Sequence, residues 1–122
     1  MWKPFNPNPC GLYVGDCVIR ALSIIFGKTW ERIYLDLCIL GYCECDMPSA
    51  NHVWGKYLEE HGFVCHTLPM TDNVTIRQYA EQHPQGQYLL ATGAHVVAVI
   101  NGEYYDAWDS GNERPIYVWE EH

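Results

Sequence analysis

The chain has 122 residues, the length of a single domain, and with 48% hydrophobic and 14% aromatic residues it can bury a core without help, which excludes a disordered chain. Seven lysines and arginines stand against 15 aspartates and glutamates, a formal charge of -8. That balance argues against a DNA or RNA phosphate backbone as partner, while a local pocket can still accept a small anionic ligand.

The first nine residues, Met1-Trp2-Lys3-Pro4-Phe5-Asn6-Pro7-Asn8-Pro9, lack the apolar run that follows the basic start of a secretion signal. No later stretch is long and apolar enough to span a bilayer, so a cytoplasmic protein without a membrane partner is expected. In that compartment the six cysteines are expected to stay mostly reduced, with a disulfide framework as the second reading.

Residues 1 to 14 are rich in proline and asparagine and predict an extended, irregular lead-in. Gly15 and Asp16 then supply a turn and an N-cap, and Gly27 can take the left-handed conformation that closes a helix. Between them Val18, Ile19, Ala21, Leu22, Ile24, Ile25 and Phe26 cover more than one face, so this helix is expected to be central and buried. A second helix runs from Trp30, capped by Thr29, to Leu40, with Gly41 as its stop and residues 41 to 48 as a loop. Ser49 can cap a third helix through His61, and Phe63 to Leu68 is a strand candidate. Thr75 and Gln78 fit a capping box for a short helix that stops before Pro84.

After Gly86 the pattern turns strand-like: Tyr88 to Thr92, His95 to Ile100, Glu103 to Trp108 and Ile116 to Trp119, with Asn101-Gly102 as a two-residue hairpin turn. Helices in the first half and antiparallel strands in the second predict an α+β fold in one domain spanning residues 1 to 122, with the Cys17 helix packed on a C-terminal antiparallel sheet.

The chemistry centres on Cys17. At the positive end of a helix dipole a thiolate is favoured over a thiol, although an arbitrary cysteine more often packs as a small hydrophobe. His95 opens one strand of the predicted hairpin and acids close the other, so an acid can hold one imidazole nitrogen while the other faces the thiol. Two acids compete for that place. A tight Asn101-Gly102 turn sets His95 opposite Trp108, so Asp106 shares its sheet face. Asp109 gains access if the strand ends or bulges at Ser110-Gly111.

The order of a helix-initial Asp16-Cys17, the strand His95-Val96-Val97-Ala98-Val99-Ile100 and the turn Trp108-Asp109-Ser110-Gly111 resembles papain-like cysteine peptidases. The likeness is to their small bacterial branch and to small phage and prophage proteins sharing the Gly-Asp-Cys and His-Val-Val-Ala-Val stretches. It implies a papain-like fold, with Cys17 as nucleophile, His95 as general base and Asp109 as orienting residue, Asp106 being the alternate acid. It further implies a thiol hydrolase that needs no cofactor and acts on a peptide or protein at a peptide, isopeptide or related amide bond, in the host cytoplasm if phage-encoded. The family commonly carries a Gln before the nucleophile, and none precedes Cys17 here. Asn6 or Asn8, with the Cys17 amide, are the candidate oxyanion donors. A binding protein on the same fold, holding a small ligand or blocking a host defence protein, is the competing expectation.

Other residues have plainer readings beside functional ones. Arg20, the one charge inside the opening helix, either reaches the cleft or pairs with Asp16 or an outer acid. Trp108 is placed to shield the imidazole. Cys38, Cys43, Cys45 and His52 lie close in sequence but lack the paired knuckle spacing of a structural zinc site, so no metal is expected.

Overall fold

The computed structural model describes residues 1–69, 71 and 73–121. In chain order the elements are β1 (Trp2–Pro4), α1 (Cys17–Phe26), α2 (Trp30–Cys43), α3 (Asn51–Glu60), β2 (Phe63–Thr67), α4 (Ile76–Gln82), β3 (Gln87–Ala91), β4 (Val96–Ile100), β5 (Glu103–Asp106) and β6 (Tyr117–Glu121). The strands form one sheet in the order β1-β5-β4-β3-β6-β2. The fold is α+β, as the segregation of helical and strand-like stretches implies.

Alternation along the sheet builds a core on each face. Leu89, Ala91, Val96, Ala98 and Trp119 face Ala21, Leu22 and Ile25 of α1, Ile33 and Leu37 of α2, and Trp54, Tyr57 and Leu58 of α3. Leu90, Val97, Val99, Tyr104 and Val118 face Ile76, Tyr79 and Ala80 of α4. Burial on both faces explains why Val96-Val97-Ala98-Val99 is apolar without a break.

The sheet is mixed rather than purely antiparallel. β1 pairs in parallel with β5, Trp2 opposite Tyr104 and Pro4 opposite Asp106. It arises within the stretch expected to be irregular, and Pro4 is tolerated because it ends an edge strand. The hairpin forms as predicted, with Asn101 and Gly102 at φ 50° and 83°, the left-handed pair that a tight turn between twisted strands requires.

Helix ends differ in instructive ways. α1 closes on Gly27 at φ 62°, whose amide bonds back to Ser23. α2 does not stop at Gly41 but continues to Cys43, and the chain reverses through Cys45 at φ 57°, with the Asp46 amide on the Gly41 carbonyl at 2.9 Å. Gly41 serves close approach instead: a Cβ there would lie 2.8 Å from the Asp46 carbonyl oxygen. The Ser49 cap is not used, since α3 begins at Asn51 after Ala50 without a side-chain cap. The Thr75–Gln78 capping box is complete in both directions.

Candidate active site

Cys17 is the first residue of α1 and is half-buried. Asp16 precedes it without capping the helix, contrary to the sequence expectation. Its carboxylate instead accepts from Arg20 Nη1 at 2.7 Å and from Trp30 Nε1 at 2.8 Å. The first-turn amides are therefore left without a side-chain cap.

His95 immediately precedes β4, and β5 ends at Asp106. Ala98 lies opposite Tyr105 and Ile100 opposite Glu103. Carried on to the strand ends, this register puts Trp108 opposite His95 and Asp106 diagonally beside it on the same face. His95 Nε2 and Asp106 Oδ2 are 2.6 Å apart, and the Trp108 ring lies over the imidazole with centroids 5.0 Å apart.

Asp106 is 0% exposed, and both of its oxygens are doubly occupied. Oδ1 accepts from Arg20 Nη2 at 2.9 Å and from the Ala107 amide at 2.8 Å. Oδ2 takes the His95 bond and one from Ser110 Oγ at 2.6 Å. From the other side, β1 brings Trp2 Nε1 and the Phe5 amide to the Asp106 carbonyl.

These contacts set the protonation of the site. Burial raises the Cys17 thiol, but hydrogen bonds from His95 and the Val96 amide, with the charges of His95 and Arg20, outweigh it and bring the thiol below its ordinary value. For His95, burial lowers the imidazole, while hydrogen bonds to Asp106 and Cys17 and their charges raise it to about 9. Burial likewise raises the Asp106 carboxyl, and is outweighed by hydrogen bonds from His95 and Ser110 and the charges of His95 and Arg20, which hold it below the usual aspartate range. The arrangement favours a thiolate beside an imidazolium, itself braced by a carboxylate.

Asp109 does not meet His95. Its carboxylate accepts from the Tyr104 hydroxyl at 2.5 Å, the Gly111 amide at 3.0 Å and Arg77 at 3.4 Å. β5 ends at Asp106, so the imidazole is held by the strand's last residue, and the later turn folds toward α4 instead.

Asn6 and Asn8 bond within the lead-in segment. Asn6 Nδ2 donates to the Leu12 carbonyl, and Asn8 Oδ1 accepts from the amides of Cys10 and Leu12. Among the described residues, no hydrogen bond turns either side chain toward Cys17. Arg20 is buried between Asp16 and Asp106 and does not line an open cleft, whereas Trp108 is 48% exposed above His95. All six cysteines are free. Of the set weighed for zinc, Cys43 and Cys45 are exposed and His52 pairs with Asp46, and among the described residues no group of three metal-ligating side chains comes together.

Sequence reasoning missed Ser110 as a donor to Asp106. It left Arg20 between the cleft and a pairing with Asp16 or an outer acid, and Arg20 pairs with both Asp16 and Asp106. No protein-family model, curated sequence or solved structure matches the chain significantly.

Proposed function

We propose that this protein is a small thiol hydrolase of papain-like architecture that cleaves a peptide, isopeptide or related amide bond, with Cys17 as nucleophile, His95 as general acid and base, and Asp106 as orienting carboxylate. The observation that carries the reading is the imidazole held at a strand start by a buried carboxylate at 2.6 Å, beside a helix-initial thiol whose pKa that histidine lowers against the effect of burial. A structural histidine needs one such partner; a catalytic one needs both.

The Cys17 thiolate attacks the carbonyl carbon, and the carbonyl electron pair moves to oxygen. Collapse re-forms the carbonyl, breaks the C–N bond and leaves a thioester, while the departing nitrogen takes the proton from the His95 imidazolium. Water then attacks the thioester and gives its proton to neutral His95. Carboxylic acid product leaves and the thiolate–imidazolium pair is restored. The first-turn amides of α1, that of Cys17 among them, carry no side-chain cap and are the donors proposed for the developing oxyanion. Leu12 to Gly15 before the nucleophile and Gly93-Ala94 before His95 are exposed, which leaves the flanks open to an extended chain.

The second reading is a binding protein on the same architecture, seating a ligand or a host protein beside Cys17 and His95. It is favoured by one observation: the side-chain amides of Asn6 and Asn8 serve the lead-in segment and not the thiol. Incubation with a library of fluorogenic peptide and isopeptide amides separates the two. Hydrolysis abolished by Cys17→Ala supports the enzyme. Cleavage of no member, with Cys17 still trapped by an electrophilic peptide probe, supports the binding protein.

A further inference from the structure

We infer that Arg20 is a positioning residue, which ties the carboxylate that holds His95 to the same helical turn that carries Cys17. The inference rests on the roles proposed above for Cys17 and His95.

The geometry is a relay of contacts from α1 to His95. Asp16, Cys17 and Arg20 share the first turn of α1. Arg20 reaches back to Asp16 at 2.7 Å and out to Asp106 at 2.9 Å, and Asp106 holds His95 at 2.6 Å, the imidazole that in turn lowers the Cys17 thiol. Along that path the charges alternate in sign from Asp16 to the thiolate. Arg20 is 5% exposed and Asp106 is 0% exposed, so the pairing is screened by little water.

Stability alone is a weak reason for such a bridge, because buried ion pairs replaced by packed apolar groups often leave a fold no less stable. What Arg20 adds is geometric. Asp106 is the last residue of β5, and without Arg20 its carboxylate is held from the protein side only by the Ala107 amide and the Ser110 hydroxyl of the loop that follows. With Arg20, the carboxylate is fixed to α1, so the acid, the imidazole and the thiol keep one register.

Other charged groups on the elements around α1 are engaged elsewhere. From α2 and α3, Asp36 pairs with Lys28, Arg32 and Tyr57 at the far end of α1. On β5 and β1, Glu103 meets Tyr105 and Lys3. The groups facing Arg20 are therefore Asp16 and Asp106 directly, and His95 and Cys17 through Asp106.

The test reads the pH dependence of iodoacetamide labelling at the Cys17 peptide by mass spectrometry, which needs no substrate. In the wild type an inflection below that of a model thiol is expected. Arg20→Gln is expected to raise it by about one pH unit, about a tenfold loss of labelling rate at pH 6. Because Arg20→Gln leaves two buried acids unpaired, Asp16→Asn/Arg20→Gln is measured beside it; it removes one charge of each sign and restores a neutral hydrogen-bonding pair. If Arg20 positions the site, the double variant folds like the wild type by thermal unfolding and keeps the raised inflection. A wild-type inflection in that folded double variant overturns the inference while leaving the hydrolase reading intact. An ordinary thiol profile in the wild type overturns both before any variant is made.

Discussion

His95 Nε2 lies 2.6 Å from Asp106 Oδ2, across the open end of the β4–β5 hairpin, and that bond decides which acid belongs to the site. Asp106→Asn replaces the carboxylate with an amide that attracts a proton on His95 far less. The imidazole is expected to titrate closer to its ordinary 6.5, and Cys17 labelling at pH 6 to fall on the order of tenfold for each unit by which the thiol's own inflection rises. Asp109→Asn touches only Tyr104, Gly111 and Arg77, so labelling is expected to stay within about twofold of wild type. Parallel labelling of the two variants is the check.

The two shifts have opposite consequences for stability. His95 is raised above its unfolded value, so its contribution is complete below about 6.5 and is lost as pH rises through about 9. Cys17 is lowered, so its contribution is present above its unfolded value of 9.0 and is lost as pH falls through its folded one. Where the two windows overlap, they oppose each other. Cys17→Ala removes one side of the balance. Its unfolding free energy by urea titration is expected to decline as pH rises above 6.5, by at most about 1.4 kcal/mol per pH unit.

Asn8→Ala separates loop support from oxyanion chemistry. The Asn8 side-chain oxygen holds the amides of Cys10 and Leu12, so the variant is expected to be cut faster by a protease within residues 10–14. Hydrolysis of the best amide substrate is expected to fall less than tenfold, against the roughly hundredfold loss typical of a missing oxyanion donor.

Gly41→Ala tests the fold apart from the site. The added methyl meets the Asp46 backbone oxygen, which cannot swing away, and a loss of about 1–3 kcal/mol is expected. Cys17 labelling in the folded variant is expected to keep its wild-type pH profile.

Much of this arrangement is legible in the residues themselves. The Cys17 helix, its Gly27 close, the Thr75–Gln78 box and the Asn101-Gly102 hairpin follow from local chemistry, and each forms where that chemistry points. The β1 strand was not legible, because its pairing with β5 joins Trp2 to Tyr104 across nearly the whole chain, and three residues beside prolines carry no alternating pattern. Gly41 misled for a related reason: a glycine needed for close approach reads the same as a glycine that ends a helix.

The acid shows the same division. Hairpin register alone placed Asp106 on the face of His95, while the resemblance to papain-like peptidases favoured Asp109, and the pairing follows the register. Arg20 was open between cleft and ion pair, because half of its bridge crosses from α1 to the end of β5, a distance in sequence that spacing does not encode.

The most direct test is the titration of the His95 imidazole by NMR in the wild type and in Cys17→Ala. A paired thiolate and imidazolium predict a midpoint near 9 in the wild type and a lower one once the thiolate is gone. A midpoint near 6.5, unchanged by Cys17→Ala, would contradict the pairing and with it the proposed chemistry.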